Sequence, residues 1–208
     1  MAHIYSHTTL KPTKRELLSA WLPTRPWYQR SATAPELTPG RGFRLDDPAG
    51  EVGIEFHVIA EGTVVYLVPV TYRGAPLAGA PEHALVGTME HGELGKRWMY
   101  DAGYDPVAVA QLLAAIEGRA EVQEQSVSDT AAKGFTRAYE GEGALETGEF
   151  STSDSADGTG IRLPGGPVLR LARTLPAALP ADALGRLVGP LVLPDGSATD
   201  TVFATLHA

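Results

Sequence analysis

The chain has no cysteine among its 208 residues. Disulfides, thiolate nucleophiles and cysteine-ligated metals are thereby excluded. No run approaches the ~18–20 apolar residues that a membrane-spanning helix needs. The opening MAHIYSHTTLKPTKREL contains no apolar leader segment. The expectation is a cytoplasmic protein without membrane contact. Basic residues are the minority, 17 against 25 acidic ones, for a net charge of −8. Lys14-Arg15 and Lys96-Arg97 are isolated pairs, so nucleic acid is not an expected partner.

Catalytic signatures are missing too. There is neither G-x-x-x-x-G-K-[ST] nor G-x-G-x-x-G to cradle a phosphate. No His-x-Asp loop precedes an Asn and a metal-binding Asp, as phosphoryl transfer requires. No G-x-S-x-G elbow and no H-E-x-x-H occurs. His3 and His7 are spaced i, i+4 but precede the first helix signal, and the histidines at 57, 83, 91 and 207 are scattered. The expectation is no cofactor, no metal site, no catalytic residue and no enzymatic activity.

What is present reads as a compact α+β chain. Hydrophobic residues make up 43%, too many for disorder, and the length suits one domain over 1–208. Thr13-Lys14-Arg15-Glu16 is a capping box opening a short helix over 14–22, which Pro23 and Pro26 end. Residues 23–50 are rich in Pro and Gly and read as irregular, with one strand over 42–45. Val52, Ile54, Phe56 and Val58 then alternate with polar residues, and Val64, Tyr66, Val68, Val70 and Tyr72 alternate again. Glu61-Gly62 turns between them, giving a hairpin. Pro69 cannot donate to a ladder and marks an edge or bulge. Strands follow over 84–89 and 96–100. Asp105 and Pro106 then open a helix over 106–117, whose apolar stripe is Val109, Leu112, Leu113 and Ile116. Residues 121–128 read as a polar strand, with a continuation of the helix as the alternative.

Residues 140–160, dense in Gly, Asp and Glu, read as a flexible acidic loop. Beyond it, Gly165-Gly166 and Pro194-Asp195-Gly196 each sit between apolar runs, so four short strands form two hairpins over 161–208. The fold class is a curved, mostly antiparallel sheet against one main helix, extended by these hairpins, which would cover a sheet edge left bare.

One stretch, 87–106, gathers most of the polar and aromatic candidates. Tyr72, Arg73, Glu90, His91, Arg97, Trp98, Tyr100 and Asp101 form the candidate ligand or interaction patch. Glu90 and Asp101, with Glu55 as a third, could supply the paired carboxylates of glycoside chemistry, and Trp98 and Tyr100 could stack on a sugar. The alternative is that Trp98 and Tyr100, which share strand parity, pack on the core, while the carboxylates are solvated or cap turns. Arg73 could pair with Glu90, with Asp101, or with a partner's carboxylate. Asp46-Asp47-Pro48 is ordinary turn chemistry.

The runs Trp21-Leu22-Pro23, Pro26-Trp27-Tyr28, Phe43 to Pro48, Glu51 to Glu55, Val68 to Arg73 and Gly87 to Pro106 resemble the N-terminal cap of maltokinases. They are most similar to stand-alone cap-like proteins of actinobacteria. The resemblance covers about 1–128. It implies a cystatin-like sheet-and-helix core and a setting in trehalose, maltose and α-glucan metabolism. In those kinases the nucleotide and sugar sites lie in the body beyond the cap, and no kinase body follows here. The resemblance therefore transfers no catalytic residue. It implies a non-catalytic accessory module with a protein partner, a sugar kinase or trehalose-converting enzyme. A small carbohydrate-binding protein or glycan-active enzyme using Glu90, Trp98 and Asp101 is the alternative.

Overall fold

The computed structural model describes residues 9–29, 36–193 and 195–208. The His3/His7 pair and Pro194 of the last turn lie outside the described residues. After β1 (Leu10–Lys11), the Thr13 hydroxyl accepts from the Glu16 N–H at 3.2 Å. The Thr13 N–H donates to the Glu16 carboxylate at 2.7 Å, so the capping box starts α1 (Lys14–Trp21) as expected. Leu22-Pro23-Thr24 tightens into a 3₁₀ turn that ends it. Then come β2 (Thr38–Pro39), β3 (Phe43–Asp46), and the long hairpin of β4 (Gly53–Glu61) and β5 (Val64–Arg73). The Asp47 side chain accepts from the N–H groups of Ala49, Glu51 and Val52, closing the expected turn before β4. β6 (Leu85–His91) and β7 (Gly95–Asp101) form a second hairpin, and α2 (Pro106–Ile116) follows, N-capped by Asp105.

These strands, with β8 (Gln123–Glu124), build an antiparallel sheet in the order β1-β6-β7-β5-β4-β3-β8. A second, six-stranded antiparallel sheet contains β9 (Thr136–Tyr139), β10 (Ser151–Ser155), β11 (Gly158–Arg162), β12 (Val168–Leu171), β14 (Gly185–Val192) and β15 (Ala198–His207). Its order is β10-β11-β12-β15-β14-β9. The two-residue strand β13 (Thr174–Leu175) belongs to the first sheet instead, where it pairs with β5. Among the described residues strands hold 43% and helices 15%, so the chain is α+β, mostly antiparallel sheet.

The alternation in β4 and β5 buries both faces of the first sheet. On one face, Leu18 and Trp21 of α1 meet Tyr66, Val68, Val70 and Met99. On the other, Phe43, Ile54 and Phe56 meet Leu112 and Leu113 of α2 and Phe203 of the second sheet. The Phe43 ring stacks on Phe56 at 4.4 Å and meets Phe203 edge-on at 5.0 Å, joining the sheets through aromatic contact.

Four expectations change. Residues 140–160 are not one loop, because β10 and β11 pair from Ser151 opposite Arg162 to Ser155 opposite Gly158. Ser and Thr suit a solvated ladder as well as a loop, and composition alone did not separate the two. The four strands expected over 161–208 form as β11, β12, β14 and β15, and β9, β10 and β13 are added to them. Of 121–128, only β8 is strand. Finally, Pro69 lies in an internal strand. It falls where the side of β5 away from β4 changes neighbour, between β13 at Val65 and Tyr66 and β7 from Val70 onward, so no ladder bond is lost.

Candidate functional site

The strand register divides the eight candidate residues between the two faces of the first sheet. Tyr72, Arg97 and Met99 fall on the α1 face, because Tyr72 opposes Met99 and Met89 opposes Arg97. Arg73, Trp98 and Tyr100 fall on the α2 face, with Arg73 opposite Trp98 and Thr71 opposite Tyr100. Glu90 opposes Lys96 near the tip of the β6–β7 hairpin, while Asp101 lies at the far end of β7. Asp101 lies five positions beyond Lys96, roughly 16 Å along a strand. That spacing keeps Glu90 and Asp101 from acting as a carboxylate pair on one sugar. Tyr100 is buried and its hydroxyl accepts from the Leu77 N–H at 3.1 Å. Trp98 is half-buried, with the Lys96 ammonium 5.0 Å from its ring centre. The His91 Nδ1 accepts from the N–H groups of Glu93 and Leu94 and so closes the hairpin turn. Its pKa is lowered by burial and by the Arg97 charge.

Two buried arginine–aspartate centres lie at the ends of these elements. In the first, Arg73 grips Asp105 with two 2.6 Å bonds, in place of the expected Glu90 or Asp101. Asp105 is fully buried, accepts from the Thr71 hydroxyl at 2.7 Å, and caps α2 through the Val107 N–H at 3.0 Å. The hydrogen bond to Asp105 also raises the Arg73 pKa. In the second, the Arg173 Nη2 donates to both oxygens of Asp101 at 2.7 Å, and neither side chain has any exposure. The Arg173 Nε donates to the Thr159 hydroxyl at 2.7 Å, and its guanidinium lies 4.9 Å from the Trp27 ring centre. Thr159 passes the network to Asp154, which accepts from the Tyr104 hydroxyl at 3.1 Å. Burial, and then the Asp154 charge, drive the Tyr104 pKa up.

A third polar group spans the α1 face. Lys14 reaches Glu55 at 2.7 Å, Tyr72 donates to the same carboxylate oxygen at 3.2 Å, and His57 Nε2 lies 3.0 Å from the Tyr72 hydroxyl. Gln125 accepts from the Gly42 N–H at 2.9 Å, which turns its NH₂ toward His57 Nδ1 at 3.1 Å. With Nδ1 accepting, the proton of the neutral ring sits on Nε2, facing Tyr72 and Glu55. Burial alone would raise the Glu55 pKa, but the Lys14 charge and the His57 hydrogen bond overcome it and hold the carboxyl well below its usual range. The Tyr72 hydroxyl is pushed well up by burial and by the Glu55 charge.

Arg173, Thr159, Asp154 and Trp27 escaped the sequence reading. They lie far from 87–106 in the chain, and Arg173, between Ala172 and Thr174, carries no spacing signal. Only the buried charge of Asp101 points to it, because such a charge requires a partner. Among the described residues, no group of three or more His, Asp or Glu side chains could hold a metal ion, and no helix is long and apolar enough to cross a membrane.

A family model matches part of the chain that builds the first sheet. No curated protein matches the chain. Residues 21–105 match the maltokinase N-terminal cap domain, a stretch that runs from the end of α1 to the Asp105 cap. Over those residues the chain is similar to the maltokinase N-terminal cap domain.

Proposed function

We propose that the chain works in the cytoplasm as a non-catalytic accessory module. It binds a protein partner of the sugar-kinase or trehalose-converting class in maltose, trehalose and α-glucan metabolism. The match of residues 21–105 to the maltokinase cap carries this reading. The geometry supports it, because the acidic groups best placed for chemistry are committed to structure. Asp101 is enclosed by Arg173 and Asp105 by Arg73, and both are fully buried. The test is binding of the purified chain to purified maltokinase and trehalose-converting enzyme from the source organism. Saturable binding to one of them, with no phosphorylation of maltose by the chain alone, is the expected result. Binding to neither, or turnover by the chain alone, overturns the reading.

The carbohydrate alternative retains only Trp98 and Glu90, on the α2 face of the hairpin arm. If it holds, maltose titration changes the Trp98 fluorescence, and Trp98→Phe abolishes the change.

A further inference from the structure

The chain makes a three-residue detour between its two sheets. At Ala172 it is still bound to the second sheet, with the Ala172 N–H donating to the Phe203 carbonyl at 3.1 Å. At Ala177 it has returned. The Ala177 N–H donates to the Thr201 hydroxyl at 2.8 Å, and its carbonyl accepts from the Val202 N–H at 3.2 Å. In between, residues 173–175 leave that sheet and pair with β5 of the first. Thr174 opposes Tyr66, Leu175 opposes Val65, and the Leu67 N–H donates to the Arg173 carbonyl at 3.0 Å. β7 does not cover this part of β5, because its pairing starts at Val70. The detour thus caps a strand edge of the cap, a task the sequence suggested for whole hairpins.

The side chain that enters with it answers a chemical requirement of the cap. Asp101 is fully buried, and its other described hydrogen bond is to the Gly103 N–H. A buried carboxylate needs a cation. The flat Trp27 ring beside it selects a planar guanidinium over an ammonium. The fit is incomplete. Arg173 Nη1 and Trp27 Nε1 are both buried donors without an acceptor among the described residues.

We infer that the β5 edge left uncovered by β7 and the Asp101–Trp27 recess together form a strand-docking site. Residues 173–175 fill it in cis, and an extended, arginine-bearing segment of a protein partner is what it takes in trans. Main-chain bonds from β5 supply sequence-independent affinity, and the recess selects for arginine. The inference rests on the chain being an interaction module, but its test needs no kinase, so the two readings fail separately.

The test loosens the strap in the full chain with Arg173→Gly, Thr174→Ser and Leu175→Gly together. Fluorescein-labelled peptide of residues 170–178, RLARTLPAA, is then titrated and followed by anisotropy. Saturable binding to the loosened chain is expected, at least tenfold weaker for the peptide carrying Arg173→Ala, and weaker again when the chain also carries Asp101→Asn. The intact chain, with its site occupied, should not bind. If the loosened chain fails to fold, the native peptide should restore its near-ultraviolet circular dichroism and the alanine peptide should not. Absence of both binding and rescue, or equal effects of the two peptides, overturns the inference.

Discussion

The two buried arginine–aspartate centres use the same chemistry for different ends. Asp105 and Arg73 both belong to the cap, 32 positions apart, and their bond also fixes the start of α2. Asp101 and Arg173 are 72 positions apart, and their bond ties the cap to the segment that follows it. Asp105 keeps two further partners, Thr71 and the Val107 N–H, and Arg73 retains 20% side-chain exposure. Asp101 and Arg173 have no contact with water. The local pair is therefore buffered against loss of its arginine and the long-range pair is not.

The largest expected effect follows from that difference. Arg173→Ala strands the Asp101 charge and should cost about 3–5 kcal/mol in urea unfolding. Next comes Leu113→Ala, at about 2–5 kcal/mol, because α2 buries this residue completely against the first sheet. A neutral result there would remove the packing on which the Asp105 centre depends. Arg73→Ala should cost less than Arg173→Ala, about 1–3 kcal/mol, since Asp105 keeps its hydroxyl and amide donors. Equal losses for the two arginines would erase the distinction drawn here.

A smaller effect depends on pH. The folded-state pKa of Glu55 lies below its unfolded value. Its contribution to stability is therefore present above the unfolded pKa of about 4.3 and is lost as pH falls through the folded value. Glu55→Gln should flatten the acid limb of a stability–pH curve below about pH 4.5, and an unchanged limb would disprove the linkage. At the exposed hairpin tip, Glu90→Gln should stay within about 0.5 kcal/mol of the parent by the same unfolding measurement.

Much of the first sheet was legible from residue patterns. The Thr13 capping box, the Asp105-Pro106 helix start and the β4–β5 alternation are local signals, and each forms as read; in the second sheet the Gly165-Gly166 turn does too. The second sheet was only partly legible, because Ser151 to Ser155 is polar and an edge ladder imposes no apolar period. The candidate patch was harder still. Its residues are neighbours in sequence, but strand parity sends Tyr72 and Arg73, and likewise Arg97 and Trp98, to opposite faces. Asp101 was noticed, yet its partner could not be, since an ion pair across 72 positions leaves no mark in local spacing.

The strap at 173–175 also sets a clock. Its β5 partners lie more than a hundred positions earlier in the chain. At a synthesis rate of ~5–20 residues per second, the β5 edge leaves the ribosome roughly 5–20 s before the segment that covers it. During that interval a nascent cap carries an open strand edge and an acidic recess without its arginine. A protein partner that is already present meets the site before its own chain can fill it. Order of arrival, as well as affinity, then decides which strand the cap holds.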